Sequence, residues 1–518
     1  KKPVMVNCLA DLVRDKASTN SSKIAFSSLS YSISYSELQS RSNQVAQMLI
    51  AAGVVSGDRV VFLARNRTEY FDVLFAVAKI GAIIVPINCR LADSEITDVL
   101  LDAQPSLVFL DTEFSHLVES LRLQIDGVSI SIFCETVDQW QNELSMFYDI
   151  DPNVEVKPDS IMCLIYTSGT TGKPKGVMLT HHNFFSVAEK LADAWHFEPN
   201  CTVYVPYPVF HAAGTFWPLL TMLRDGKVVF RSGFDEVDFI NSVEREGVNL
   251  TLMVPTVINM VLSHPMSGSA NLQSLKNVIY GVSPISQTIL ENAISRLPNC
   301  SFHHAYGLTE ATGMVTTMQW SDHRPGTERM KSCGKPFDWV EMRIVDPKTR
   351  SQLGPREVGE VAVRSASVMK GYFKKQKETR DVLDDDNWLY TGDAGFVDED
   401  GFLYITDRIK DMIISGGENI YPAEIENVLF AIDGVKEAAV IGIPDEVWGE
   451  SVHAIIVLND GAKLDRDKVI EFCQNRIAKY KCPKSVEFRT SSLPINPTGK
   501  VLKRELRDSY HAQSEAGV

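Results

Sequence analysis

The chain lacks paired cysteines: none of its nine cysteines falls in a C-x-x-C pair. Cys8, Cys89, Cys134, Cys163, Cys201, Cys300, Cys333, Cys473 and Cys482 are scattered, their number is odd, and several lie in apolar runs. That spacing excludes a zinc ribbon and argues against a disulfide framework. Buried thiols in a reducing, cytoplasmic compartment are expected. Positive charge is also short. Lys and Arg total 51 against 66 Asp and Glu, a net charge of −15. Nucleic-acid binding through the whole surface is thereby excluded, whereas a local basic pocket for a nucleotide is not. No long uninterrupted apolar run occurs. The most membrane-like stretch, Phe71 to Ile87, contains Asp72 and Lys79 and reads as a buried helix and strand. Peripheral membrane contact would need a local basic or apolar patch. The first residues, Lys1 to Asn7, are basic but lack a sustained apolar core and a cleavage site, so no signal peptide is expected. Neither G-x-S-x-G nor H-E-x-x-H is present, which removes the serine-hydrolase elbow and the zinc-protease helix. No internal repeat and no low-complexity tail is found.

What is present fits a soluble multidomain protein. A chain of 518 residues is too long for one core. Val4 to Lys16 has helical apolar spacing. Short strands are expected at Lys23–Phe26 and Ser32–Tyr35, and Ser36 is expected to cap a helix running to about Ala52, closed by Gly53. Strands at Arg59–Leu63, Ala82–Pro86 and Leu107–Leu110 alternate with helices at Thr68–Ile80 and Glu95–Ala103. That alternation indicates βαβ units and a mostly parallel sheet. Residues 130–158 read as an irregular acidic connection. Strands recur at Thr202–Val205, Lys227–Phe230, Leu250–Val254 and Asn277–Tyr280. From about 332 to 410 the pattern is strand-rich, as for an appended small β-barrel or sheet. Residues 411–518 alternate helix and strand again, enough for a separate α+β domain.

One stretch, Tyr166 to Gly176, concentrates Thr167, Ser168, Thr170 and Thr171 with Gly169, Gly172 and Gly176, and adds Lys173 and Lys175. Glycines let backbone N–H groups converge, hydroxyls add donors and lysines add charge, as a polyphosphate requires. Ile161–Ile165 before it reads as a buried strand. Thr180 after it is a plausible cap for a helix from His181 to Trp195. The stretch is not the usual P-loop. Only two residues separate Gly169 from Gly172, and Pro174 follows Lys173 where Ser or Thr is required.

Four further motifs follow in order: His303 to Glu310, Tyr390 to Gly395, Asp407 to Pro422, and Asn496 to Lys500. The ordered set resembles the adenylate-forming family of acyl-CoA synthetases, luciferases and peptide-synthetase adenylation domains, over nearly the whole chain. The C-terminal wording looks most like bacterial fatty-acyl-CoA synthetases. The resemblance implies a large N-terminal ATP- and acyl-binding α/β domain with parallel sheets (1–407), a hinge (408–410) and a mobile C-terminal α+β domain (411–518). It implies activation of a carboxylic acid by ATP to acyl-AMP and pyrophosphate, then thioester formation with coenzyme A. Two anions must approach, so positive charge and Mg²⁺ are needed.

Carried over by position, Thr167, Ser168, Gly169, Thr170, Thr171, Gly172 and Lys175 hold the β- and γ-phosphates. Tyr306 and Gly307 lie at adenine, Thr309 contacts phosphate, and Glu310 binds Mg²⁺. Asp393 accepts the ribose hydroxyls with Arg408 nearby, and Lys500 bridges the carboxylate and α-phosphate. Ser415, Gly416, Gly417 and Trp448 are implied for coenzyme A, and Lys410 aligns with the hinge. Without the resemblance, Asp393 reads as a turn cap, Arg408 as half of a surface ion pair, Lys500 as a solvated lysine and Gly416-Gly417 as a hairpin turn.

Phe210, His211, Gly214, Gly281 and Val282 resemble acyl-pocket segments. Thr215, Phe216 and Trp217 could shorten or gate a tunnel, or could equally be core. No basic anchor demands a dicarboxylate or amino acid. A medium- or long-chain fatty acid is the expected substrate. An aryl-acid ligase and a catalytically silent nucleotide- or acyl-binding sensor stand as alternatives. With the chain ending at Val518 and no room for a carrier domain, a peptide-synthetase adenylation domain is less expected than a ligase, and a free-standing one stays open. The sequence leaves monomer and homodimer both open.

Overall fold

The computed structural model describes residues 6–133, 135–168, 174–281, 285–415, 418–445, 447–477, 479–495 and 501–515. The chain divides into two units, one of residues 1–342 and 363–389, the other of residues 343–362 and 390–518.

Two large sheets build the first unit. One has nine strands in the spatial order Lys335–Pro336, Thr316–Met318, Ser301–Tyr306, Asn277–Gly281, Leu250–Met253, Thr202–Val205, Lys227–Phe230, Ile24–Ser27, Ser32–Ser34. Its six strands from Ser301–Tyr306 to Ile24–Ser27 are mutually parallel, and antiparallel strands close both edges. The second has seven strands in the order Gly371–Tyr372, Pro174–Thr180, Ile161–Ser168, Ile83–Pro86, Arg59–Leu63, Leu107–Leu110, Ser129–Ile132. Ile83–Pro86 and Leu107–Leu110 are buried at every position. Parallel strands covered on both faces read as continuous apolar runs for this reason, rather than as alternation.

Several local expectations shift. The helix expected from Ser36 spans Tyr35–Ala51, and its N-cap is Ser34. The Ser34 hydroxyl accepts from the Glu37 backbone N–H while the Glu37 carboxylate accepts from that of Ser34. A reciprocal capping box outcompetes a lone hydroxyl two residues on. The stretch expected as one helix from His181 to Trp195 is two, His181–Phe185 and Ala188–Ala194, with Thr180 capping the first as expected. Residues 130–158 are not wholly irregular. Thr136 caps a helix, Val137–Leu144, whose Trp140 is fully buried. The Trp140 indole donates to Asp72 at 2.9 Å, and Arg41 donates to the same carboxylate at 2.6 Å. Burial still pushes the Asp72 carboxyl up to about 6. Nearby, Lys79 is fully buried and donates to Ser42 Oγ, Gln39 Oε1 and Asn43 Oδ1. Burial pushes its pKa down to about 7.

The second unit contains most of a four-stranded sheet, Glu341–Val345, Gly359–Arg364, Leu389–Val397, Leu403–Arg408 in that order. Among the described residues its first and last strands do not pair, so of the two forms expected, small barrel or sheet, the strand-rich segment takes the open sheet. A five-stranded sheet follows, with Val435–Asp445 and Gly449–Leu458 paired over their whole length. Ile425, Leu429, Val440, Ile456 and Val469 pack on one face. Leu493 and Leu506 pack with Ile441 and Ile455 on the other. Among the described residues, no helix is long and apolar enough to cross a membrane. The eight described cysteines are all free.

His181 makes a pH prediction. It is 1% exposed, its Nδ1 accepts the Leu9 backbone N–H at 3.1 Å, and burial pushes its pKa down to about 4. A folded pKa below the unfolded value means the neutral ring's stability is complete above about pH 6.5 and is lost as pH falls toward 4. Thermal midpoints should fall over that window as roughly 3 kcal/mol of stability from this group is lost. His181→Gln should flatten the pH dependence, and an unchanged slope would refute the assignment.

Candidate active site

The glycine-rich stretch joins two antiparallel strands. Ile161–Ser168 pairs with Pro174–Thr180, with Thr167 opposite Lys175 and Ser168 opposite Pro174. Gly169, Thr170, Thr171, Gly172 and Lys173 lie outside the described residues. The connection is therefore a hairpin, and no helix begins directly after it. The alternating burial of Val177 and Leu179 holds Pro174–Thr180 as strand. Gly176 has a packing reason of its own: a Cβ there would meet the Tyr166 ring at 3.0 Å.

Lys175 projects toward Glu310 through an unexpected intermediary. Its Nζ lies 5.0 Å from the centroid of the Tyr372 ring, and the Tyr372 hydroxyl donates to Glu310 Oε1 at 2.9 Å. Tyr372 stands on the short edge strand that pairs with Pro174–Thr180. Nothing in its sequence neighbourhood marks it, because the pairing joins residues far apart in the chain. Tyr306 ends the strand Ser301–Tyr306, Gly307 follows, and Thr309–Ala311 form a single 3₁₀ turn. A Cβ on Gly307 would overlap the Gly313 carbonyl, so only glycine fits. Tyr306, Thr309 and Glu310 are half-buried, the first at the strand's end and the other two on the turn.

The donor set fits Mg²⁺. Glu310 offers carboxylate oxygen, one atom of which is oriented by Tyr372. Among the described residues, no group of three or more His, Cys, Asp or Glu forms a protein cage. Mg²⁺ is characteristically held by one or two carboxylates plus substrate phosphates. When bound, the ion offsets the charge of the phosphates.

In the second unit, Asp393 and Arg408 are directly opposed on neighbouring strands and form an ion pair of 2.6 Å. Asp393 is buried inside a strand, so it is not a turn cap. The Lys410 carbonyl accepts from Arg507 at 3.0 Å. Ser415 pairs with Gly449, which brings it beside Trp448. Trp448 is 49% exposed, with the Lys484 ammonium 4.4 Å from its ring centroid. Asp445 accepts from the Val447 and Trp448 N–H groups and sets this turn. Gly416, Gly417 and Lys500 lie outside the described residues. Ile413–Ser415 and Glu418–Ile420 are antiparallel strands on either side of the two glycines.

The first unit also holds an apolar cavity of about 300 Å³. Leu252, Val254, Gly281 and Ala305 form its sheet side. Trp195, Ala212, Ala213, Phe216 and Trp217 form its helix side, and Gly307 and Gly313 also line it. Of the expected pocket residues, only Gly281 lines it, and Val282 lies outside the described residues. Gly214 instead packs against the chain, since a Cβ there would overlap the Pro208 carbonyl. Phe210 is buried beside His211 and under Arg90, and His211 is an exposed N-cap of the helix Ala212–Leu223. Phe216 and Trp217 are wall, whereas Thr215 is core, hydrogen-bonded to Tyr70 and to the Val209 carbonyl. The helical offset explains the shift: 212, 213, 216 and 217 share a face that 210, 211 and 214 do not. Trp195 was missed because its partner Trp217, 5.7 Å away between centroids, is remote in sequence.

Residues 13–373 match the AMP-binding enzyme family, and residues 424–500 match the AMP-binding enzyme C-terminal domain. The chain is 37% identical to a fatty acid–[acyl-carrier-protein] ligase, ScoC, of Streptomyces coeruleorubidus, over 94% of this chain and 93% of that one. It is also 37% identical to a feruloyl-CoA synthase of an Amycolatopsis species, over 92% and 94%. Among solved structures it resembles the o-succinylbenzoate coenzyme A synthetase MenE of Bacillus subtilis, in complex with ATP and magnesium ion. That likeness has a TM-score of 0.82 and 29% identity and covers 96% of this chain and 98% of that one. The motif order, the two-part match and the shared fold agree: the chain belongs to the AMP-binding, adenylate-forming enzyme family, as an AMP-forming acid–thiol ligase of the acyl-CoA synthetase type.

Proposed function

We propose that the chain activates a compact carboxylic acid, in the first reading a medium-chain fatty acid, and passes it to the thiol of coenzyme A. The carrying observation is the cavity. Among the described residues its wall has no charged side chain, and its 300 Å³ sits at the small end of ligand pockets. A second reading, an aryl acid, is favoured by the paired Trp195 and Trp217 rings and by the likeness to a feruloyl-CoA synthase.

In the first step a carboxylate oxygen attacks the α-phosphorus, the bond to the β-phosphate breaks and pyrophosphate leaves. In the second the thiol sulfur attacks the acyl carbon, AMP departs and the thiol proton is released. Residues 167–175 would hold the β- and γ-phosphates, and Thr309 would contact phosphate. Tyr306 would lie against adenine, Asp393 would take the ribose hydroxyls with Arg408 fixing its carboxylate, and Lys500 would stabilise the charge that builds between acid and α-phosphate. Ser415, Gly416, Gly417 and Trp448 would accompany the coenzyme A arm. We place the hinge at 408–410, between domains 1–407 and 411–518. The reading goes with a cytoplasmic location, where ATP and coenzyme A are available.

CoA-dependent AMP release should peak at medium length across straight-chain acids from acetate to palmitate, with benzoate and coumarate as comparators. Activity with aryl acids alone would keep the chemistry and replace the first reading. A flat response together with absent ATP–pyrophosphate exchange would favour a sensor. Lys500→Ala should lose roughly 10²–10³-fold in adenylation and much less in thioester formation from preformed acyl-AMP. Equal losses in both half-reactions would overturn its role. Tyr372→Phe should weaken the hold on Glu310, lowering kcat/KM for ATP by about tenfold and raising the Mg²⁺ concentration needed. An unaltered Mg²⁺ requirement would refute the link.

A further inference from the structure

Below its apolar wall the cavity has a polar neighbour. Side chains alternate along Ser301–Tyr306, so His303 shares a sheet face with Ala305, which lines the cavity. Strand register agrees. His303 pairs with Ile279 and Ile279 with Leu252, and Leu252 also lines the cavity. The His303 ring lies 4.9 Å from that of His196, the residue after Trp195. His303 therefore stands one step deeper than Ala305, at the end remote from Gly307.

The ring is 2% exposed, and neither nitrogen has a hydrogen-bond partner among the described residues. Buried polar groups left unmet are rare and call for an explanation. The Gln319 side chain comes close enough to raise the ring's proton affinity, without a hydrogen bond of good geometry to either nitrogen. It gives its amide N–H to the Ala194 carbonyl at 3.1 Å. His323 is bound to the Tyr280 hydroxyl and the Gln319 carbonyl, both at 2.9 Å. Burial, with His196 and His323 near, pushes His303 down to about 4, so the ring is neutral at physiological pH. A neutral imidazole offers one N–H donor and one acceptor. A plain core position in the row of Leu252 and Ile279 would be served by an apolar side chain without the unmet nitrogens.

We propose that His303 reads the distal end of the acyl substrate: the acid carries a hydroxyl or carbonyl oxygen at the end remote from its carboxylate, and His303 hydrogen-bonds it. The inference rests on the ligase reading of the cavity and narrows its substrate class. Gly281 and Ala305, which line the cavity one step along the same sheet face, carry no side-chain atom beyond Cβ. A phenolic oxygen on an aryl acid and a terminal oxygen on an aliphatic chain present the same chemistry to the imidazole.

The test compares kcat/KM for AMP release in two pairs, 4-hydroxycinnamate with cinnamate and 10-hydroxydecanoate with decanoate. Wild type, His303→Leu and His303→Gln are measured as full chains. In at least one pair wild type should favour the oxygenated acid by about tenfold or more, because a site built to bond an oxygen rejects the analogue lacking it. His303→Leu should abolish that preference, and His303→Gln, which keeps a donor and an acceptor, should retain part of it. The ratio within each variant does not depend on how much protein is folded. The pair that responds identifies the source of the oxygen. Equal rates within both pairs in wild type, or a preference unchanged in His303→Leu, would overturn the inference and leave the ligase reading standing. Absence of AMP release and of pyrophosphate exchange with all four acids would overturn both.

Discussion

The first unit's site depends on one close approach of backbone to backbone. Gly307 lies so near the Gly313 carbonyl that no side chain fits between them. This contact folds the chain back immediately after a parallel strand. The 3₁₀ turn that carries Thr309 and Glu310 follows it, and Gly307 and Gly313 themselves line the apolar cavity. Ligands in α/β sheets gather at the carboxyl ends of strands because loops leave the sheet there with free backbone groups. Here the same turn borders both an apolar hole and a carboxylate held in place. The cavity and the Glu310 carboxylate, which the proposed reading assigns to acid and cation, are thus tied to one packing constraint.

Charge is handled by pairing rather than by exposure. The chain carries a surplus of acid, yet Glu310 is steadied by a neutral hydroxyl, and the Lys175 ammonium rests on that same aromatic ring. A direct Lys175–Glu310 pair would spend both charges on each other. A tyrosine between them orients the carboxylate and leaves both charges available to a polyphosphate and its cation. Elsewhere charge serves architecture. Lys79 and Asp72 are buried with several partners each, and their perturbed pKa values reflect desolvation within a helical layer, remote from any expected catalytic residue. A strongly shifted pKa is therefore a poor pointer to the site in this molecule, despite its general use for that purpose.

Much of the architecture could be read from local pattern. Continuous apolar strands spaced by helices gave the parallel sheets, because burial on both faces leaves that signature. The hairpin around residues 169–173 was less legible: a strand, a glycine-rich loop and a distant helix cap look alike whether the loop leads to a helix or to a returning strand. Phosphate-site and ribose-site candidates came from motif order. Of the helix Ala212–Leu223 and the residues before it, the cavity is lined by Ala212, Ala213, Phe216 and Trp217, one helical face away from Phe210, His211 and Gly214. Trp195 and Tyr372 carried no local signal. Each acquires its place through a contact across more than twenty residues of chain.

The cavity's composition bears on what kind of acid can be recognised. An apolar wall distinguishes acids weakly, because one methylene more or less changes binding only modestly. Trp195 and Trp217 favour flat or flexible apolar groups without choosing sharply among them. Strong discrimination needs a buried polar group that one acid satisfies and another leaves unmet. His303 is the group of that kind on the cavity's sheet face, and its neutrality suits it to oxygen rather than to a second carboxylate. The wall sets the size of the acyl group and the imidazole sets its chemistry, so selectivity in this chain is expected to reside in the less apolar end of a mostly apolar hole.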